Sequence, residues 1–171
     1  MTDKFTSSIA YDKRLAKVDV IGSIAHAHML GKTHIIPHKD ASRIVRGLQS
    51  ILKDIESGKF KFDPRAEDVH SNIQDVLEKK VGAAALRLHT ARSRNDQIAL
   101  DIRMYLKEEI DELIELITLL QKSILKFARE NMQVIIPGYT HLQVAQCVLL
   151  AHHLLAYLEG LERDKGRLAD A

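Results

Sequence analysis

The chain has 171 residues, 46% of them hydrophobic and 28% charged, which is typical of a globular protein with a substantial core. Its formal net charge of +2 is too small to favour binding to nucleic acid or to an anionic membrane surface. The single cysteine excludes an intrachain disulfide, and without an N-terminal signal pattern or a long apolar segment the sequence predicts a cytoplasmic protein.

Four helices are predicted in the first 130 residues, because apolar side chains recur every three or four positions between helix start and stop signals. The predicted helices extend from Tyr11 to about Leu30, from the Asp40 cap to Gly58, from about residue 66 to residue 80, and from the Ser93 cap to Glu130. The alternating residues 59–62, between the second and third helices, are predicted to be extended.

The fourth predicted helix contains neither Gly nor Pro, and about 35 residues make a rod of roughly 50 Å. A rod of this length has to lie along other long helices to bury its apolar stripe. At its start, Ser93 and Asp96 form a predicted capping box, with Asp in place of the commoner Glu. Arg92, Arg94 and Asn95 crowd the same turn, where a helix N-terminus favours anions. The spacing fits a purely structural cap equally well.

Beyond Glu130, the dipeptide Pro137-Gly138 predicts a turn. Thr140 and Gln143 form a second predicted capping box, and a fifth helix is expected to follow. His141 would then lie in the first helical turn, where N–H groups point outward. Imidazole is the side chain best suited to move protons near pH 7, although a lone histidine is more often structural.

Together these elements predict an all-α chain without internal repeats. A small N-terminal helical domain is expected at residues 1–92, followed at 93–171 by the first part of a bundle of long helices. The charged helical pattern continues to the last residue, so the bundle is expected to be truncated.

The remaining polar side chains carry weaker signals. His70 and Gln74 lie one helical turn apart, which predicts a surface hydrogen bond in preference to a binding role. No histidines and cysteines have the spacing of a metal-ligand set, so no metal site is expected. Cys147 is expected to be a small buried hydrophobic residue.

Four stretches carry a family resemblance: SSIAYDKRL at 7–15, EDVH at 67–70, LHTARSRNDQ at 88–97 and PGYTHLQVAQ at 137–146. In this order and at this spacing they resemble the argininosuccinate lyase family. That family belongs to the fumarase/aspartase superfamily, as do the lens delta-crystallins. The resemblance extends over essentially the whole chain, which would correspond to the N-terminal portion of a lyase.

The resemblance implies a reversible β-elimination that splits argininosuccinate into arginine and fumarate, a step of arginine biosynthesis. It implies no metal or organic cofactor. It also implies a homotetramer in which each active site combines segments of different subunits. The family's GSSxMPxKxNP loop, with a proposed catalytic Ser and a substrate-binding Lys, lies downstream of this sequence, so the isolated chain is expected to be inactive.

The resemblance also assigns roles to residues. His141 would be the catalytic acid–base histidine, while Ser8, Asn95 and Thr140 would bind substrate. Further residues of the site wall would be Arg92, Arg94, Asp96, Gln143 and His70.

Three residues depart from the family pattern. Ala91 stands where Gly is usual, Cys147 where Pro is usual, and Gln74 where Glu is usual, which removes the expected charged partner of His70. Two other functions stay open: a non-catalytic helical oligomerisation or crystallin-like module that keeps these motifs as relics, and a sister lyase acting on adenylosuccinate or fumarate. The RSRNDQ motif favours the argininosuccinate branch.

Overall fold

The computed structural model describes residues 6–171, which form two compact units, one ending at Tyr105 and one extending from Leu106 to Ala171. The division falls within the long helix, and the domain boundary expected between residues 92 and 93 stays a prediction. In the part of the chain that is described, no helix combines the length and apolar character needed to cross a membrane.

The described chain is mainly helical, which confirms the predicted class apart from one hairpin. The helices are α1 (Ile9–Asp12), α2 (Ala16–Lys32), α3 (His38–Glu56), α4 (Val69–Val81), α5 (Arg94–Glu130) and α6 (Leu150–Asp170). The strands are β1 (Ile135–Thr140) and β2 (Gln143–Leu149). Two short 3₁₀ helices, Lys13–Leu15 and Gly82–Arg87, follow α1 and α4.

The core of the first unit forms where α2, α3 and α4 pack together, and its largest fully buried aliphatic side chains are Leu30, Ile44, Leu48, Ile51 and Leu77. The sequence predicts Ile44, Leu48 and Ile51 on the apolar stripe of the second helix and Leu77 on that of the third, whereas Leu30 lies outside the stripe predicted for the first helix. The helices approach closely at Gly47, where a Cβ atom would lie 2.7 Å from the Cδ1 of Leu77 and 2.8 Å from the Cγ1 of Val81. Only glycine therefore allows α3 to pack against α4 at this depth.

Two predicted helix starts are shifted in the structure. The first predicted helix is divided into α1, a 3₁₀ turn and α2, which begins at Ala16. The second begins at His38, after Pro37, so Asp40 lies in its first turn and does not cap it. Instead, the Asp40 carboxylate pairs with the guanidinium of Arg87 at 3.1 Å. An acidic residue in a first turn is favourable without being the cap.

The expected fifth helix start is wrong, because residues 135–149 form an antiparallel hairpin. Thr140 and Gln143 face each other as the last pair of this hairpin and do not cap a helix. The segment is rich in Val, Ile and Thr, which favour strands, and Pro137 cannot lie inside a helix without removing a hydrogen bond. The ladder shifts register between Pro137 and Tyr139.

In the second unit, polar contacts of one glutamine join α5 to α6. The side-chain amide of Gln121 donates to the carbonyl oxygen of Leu158 at 3.2 Å and to Oε2 of Glu162 at 3.0 Å. Many large apolar side chains remain more than a third exposed, among them Leu113, Leu116, Leu119, Leu120, Phe127 and Leu155. The long helix therefore buries only part of its apolar surface within this unit.

We expect the 171-residue chain to self-associate, because exposed apolar patches of this size favour association. Light scattering at micromolar concentration should give a mass above the 19.3 kDa of one chain. Replacing Leu113 and Leu120, one face of α5, by Lys should reduce that mass, while replacing the exposed polar Lys122 and Lys126 by Gln should not. A monomeric mass for the unmodified chain would contradict this expectation.

Candidate functional site

The N-terminus of α5 has the predicted capping geometry. The backbone N–H of Ser93 donates to Oδ2 of Asp96 at 3.3 Å, and the Ser93 hydroxyl accepts from the backbone N–H of Asn95 at 3.2 Å. The Asn95 and Asp96 side chains are exposed. The capping box is confirmed, and it leaves the Asn95 amide facing solvent at the positive end of a 37-residue helix.

The two arginines that flank this cap are held by neighbouring elements. Arg92 donates from Nη2 to the hydroxyl of Ser23 at 3.1 Å, and burial lowers the pKa of its guanidinium. Arg94 donates from Nη1 to Oε1 of Gln97 at 2.8 Å, and its Nε lies 3.7 Å from Oδ2 of Asp68, the cap of α4. Both cations are therefore positioned beside the helix tip before any ligand arrives.

Ser8 is fixed beside the EDVH motif. Its hydroxyl donates to Oδ2 of Asp12 at 2.6 Å, and the same oxygen accepts from the backbone N–H of Val69 at 3.2 Å. The backbone N–H of Ser8 donates to the carbonyl oxygen of Glu67 at 2.8 Å. The N-terminal motif and the EDVH motif, 59 residues apart in sequence, therefore form one surface.

Two cavities of the first unit bring predicted site residues together. A cavity of about 520 Å³ is lined by Ser8 and His70 among others, and a cavity of about 240 Å³ is lined by His70, Arg92 and Arg94 among others. His70 is shared by both. Asn95 is absent from both linings.

The predicted surface hydrogen bond of His70 is wrong, because its side chain is buried. Its Nδ1 lies 3.3 Å from Oδ2 of Asp19 and 3.7 Å from Oδ2 of Asp101. Gln74 instead donates to the carbonyl oxygen of Ala85 at 3.3 Å. The charged partners of His70 therefore come from α2 and α5, and replacement of the family's usual Glu by Gln74 does not remove them.

Asp19 and Asp101 are the site residues that the sequence reading missed. Both are 1% exposed, and Asp19 also accepts hydrogen bonds from the amide of Gln97 and, at 3.4 Å, from the hydroxyl of Ser23. In the sequence, Asp19 and Asp101 each stand directly beside a position of their helix that is predicted to be apolar. That placement is the signal that could have identified them. Buried carboxylates are rare unless they are paired.

Asp19, His70 and Asp101 form a cluster in which neighbouring groups and burial shift the pKa of one carboxyl. Burial, followed by repulsion from Asp19, raises the pKa of Asp101 to about 7, while His70 and Arg92 act in the opposite direction. One ligand atom each from Asp19, His70 and Asp101 lies within 4.8 Å of the others, so these residues could hold a divalent cation. Arg92 supplies a positive charge to both carboxylates and would compete with such a cation.

In the second unit, the predicted catalytic residue lies in the hairpin turn. His141 and Leu142 form the two-residue loop between the strands, with φ angles of 47° and 62°. Two successive positive φ values are typical of the turns that match the twist of a hairpin. His141 is therefore an exposed turn residue between Thr140 and Gln143, and its expected place in a helix is wrong.

Two of the departures from the family pattern have structural consequences. Ala91 has a φ of 55°, a left-handed conformation that glycine adopts without cost. Cys147 faces Pro137 in the hairpin and is exposed, so the expectation that it is buried is wrong.

Comparison with known proteins places these features in a family. A family model described as "Lyase" matches residues 1–171. The argininosuccinate lyase of Geotalea daltonii is 56% identical over 168 residues, and that of Pelotomaculum thermopropionicum is 55% identical over 170 residues. These alignments include 98% and 99% of this chain, which spans about 37% of the length of each relative.

Solved structures show a similar fold at low sequence identity. A protein titled fumarate lyase:delta crystallin from Brucella melitensis has a TM-score of 0.77 and 18% identity, covering 96% of this chain and 42% of that one. An EDDS lyase variant with bound fumarate has a TM-score of 0.69 and 23% identity, covering 95% of this chain and 30% of that one. These matches support the fold alone.

We expect Ala91→Gly to stabilise the chain by about 0.5–1 kcal/mol, because glycine removes the strain at φ 55° and the exposed Ala91 side chain loses no packing. Denaturant unfolding should show the higher midpoint. Ala99→Gly, at an exposed position inside α5, is the matched control and should lower stability by about 1 kcal/mol. An equal loss in both variants would contradict strain at Ala91.

We expect stability to fall as pH rises from about 4, the unfolded pKa of an Asp, to about 7, the pKa of Asp101 in the folded chain. The folded pKa lies above the unfolded value of about 3.9, so the contribution is present at acidic pH and is lost as the carboxyl ionises. One proton limits the slope to about 1.4 kcal/mol per pH unit. Asp101→Asn should flatten the unfolding free energy between about pH 4 and about pH 7, the interval between the two pKa values, whereas the exposed control Asp75→Asn should leave the slope unchanged.

Proposed function

Because this chain belongs to the lyase family whose model matches all of its residues, we propose that it is the N-terminal portion of an argininosuccinate lyase. Such an enzyme cleaves argininosuccinate reversibly to arginine and fumarate in arginine biosynthesis. The observation that carries the proposal is the 52–56% identity to relatives named argininosuccinate lyase over nearly the whole chain.

The reaction sets the chemical requirements. A base takes the proton from the carbon beside one carboxylate, the adjacent C–N bond breaks as a C=C bond forms, and an acid protonates the departing guanidino nitrogen. Negative charge accumulates on the carboxylate during this step, so the site needs fixed donors aimed at it. No redox partner is needed, because the electron pair of the C–H bond ends in the new C=C bond and that of the C–N bond leaves with nitrogen.

The first unit supplies donors of this kind. Asn95 presents an exposed amide at the positive end of α5, beside Arg94, whose guanidinium is already held by Gln97. Ser8 lies at the wall of the 520 Å³ cavity, and its hydroxyl can donate to a ligand by turning away from the Asp12 carboxylate. We assign Ser8 and Asn95 to substrate binding, with Arg92, Arg94, Asp96 and His70 in or behind the site wall. Arginine and amide donors at a helix N-terminus match the carboxylates of a dicarboxylic substrate.

The second unit supplies the titratable group. His141 is exposed in a two-residue turn between Thr140 and Gln143, and the paired strands restrict how far its backbone can move. We assign His141 to the proton transfers and Thr140 and Gln143 to substrate contact. An exposed turn can reach into a neighbouring subunit, which suits a homotetramer whose sites combine segments of several subunits.

We expect activity to require the family's downstream Ser loop. In a longer polypeptide that contains this loop, argininosuccinate should yield fumarate, and His141→Asn should lower kcat by about 100-fold or more. His152→Asn, an exposed histidine of α6, is the matched control and should retain activity. Fumarate absorbance measures the rate.

Three outcomes would contradict the proposal or one of its assignments. Full activity of His141→Asn would remove the catalytic assignment. A folded full-length protein that releases no fumarate from argininosuccinate, and shows no heat of binding for fumarate or arginine, would favour a non-catalytic structural module. Turnover of adenylosuccinate in preference to argininosuccinate would favour a sister lyase.

A further inference from the structure

A cleft separate from both cavities of the candidate site lies between the C-terminal part of α2 and the N-terminal part of α3. It has a volume of about 540 Å³, and we call it the histidine cleft; its lining residues include His28, Lys32, His34, His38, Ser42 and Arg46. The polar lining residues of α2 are His28 and Lys32, and those of α3 are His38, Ser42 and Arg46. Within each helix they are four positions apart, so each helix contributes one row of polar side chains to the cleft. The two rows face the same space, and His34 joins them from the connecting loop.

The lining of the histidine cleft is cationic and contains no carboxylate. Within residues 6–171, neither Lys32 nor Arg46 forms an ion pair. Asp40, a carboxylate in the first turn of α3, is paired with Arg87 at 3.1 Å. Positive charge in the cleft is therefore left without a protein counterion.

The floor of the histidine cleft is close-packed. A Cβ atom at Gly31 would lie 2.6 Å from the Cβ of Ala41, so α2 and α3 come too close there for any larger residue. Above this floor, His34 is held in the left-handed region with a φ of 60°. The hydroxyl of Ser42 lies 3.5 Å from Nδ1 of His38. The two rows of polar side chains therefore lie above a close contact between α2 and α3.

We propose that the histidine cleft binds a small ligand that carries two or three linked phosphate groups. Lysine and arginine supply fixed positive charge, and imidazole N–H groups and the Ser42 hydroxyl supply hydrogen-bond donors to phosphate oxygens. A volume of about 540 Å³ accommodates such a ligand, and the near-neutral net charge of the chain disfavours an extended polyanion such as nucleic acid.

The test is isothermal titration of the 171-residue chain with tripolyphosphate at neutral pH. Saturable binding with one site per chain is expected. Arg46→Gln and Lys32→Gln should each weaken binding by about tenfold.

The matched control is Lys53→Gln, which removes one exposed positive charge from the same helix outside the cleft and should leave binding unchanged. Circular dichroism checks that each variant is folded. Four results would overturn the proposal. The first three are no saturable binding, an equal loss in Lys53→Gln and Arg46→Gln, and tighter binding of a DNA duplex than of tripolyphosphate. The fourth is fumarate competing equally well with tripolyphosphate, which would assign the cleft to dicarboxylates.

Discussion

Burial of three ionisable side chains, with a half-buried arginine beside them, constrains the first unit more than any single apolar contact. Asp19 of α2, His70 of α4 and Asp101 of α5 lie together below the surface, and Arg92 adds positive charge from the turn before α5. Two carboxylates are opposed by one guanidinium and one imidazole. Removing one partner from such a group typically costs about 3–5 kcal/mol, because the remaining charge stays buried.

The candidate site residues of the first unit are arranged around this network. His70 belongs to it and lines both cavities, while Arg92 reaches Ser23, which also donates to Asp19. Ser93, which caps α5, is the next residue in the chain after Arg92. A loss of charge balance would therefore move the helix tip and the cavity wall together. Precise placement of donors would matter for the proposed elimination, since misplacement by about 1 Å can cost around 100-fold in rate.

Strained backbone conformations occur in the candidate site and in the histidine cleft. Outside glycine, the described residues with positive φ are His34, Ala91, His141 and Leu142. His34 lines the histidine cleft, Ala91 precedes the arginines at the α5 tip, and the last two form the hairpin turn that carries the proposed catalytic group. Such conformations cost about 1–3 kcal/mol and persist where the surrounding structure holds them, often at binding sites.

The sequence alone determined the helical class, the length of α5, its cap at Ser93 and the family, because these depend on apolar periodicity and on motifs that are local in the chain. Tertiary structure decided the rest. Thr140 and Gln143 have the spacing of a capping box, yet strand pairing across a turn satisfies their backbone groups instead. Asp19 and Asp101 lie 82 positions apart, and only the packing of α2 against α5 makes them neighbours of His70. Contacts between distant segments leave no periodicity in the sequence, so their chemistry appears only once the helices are packed.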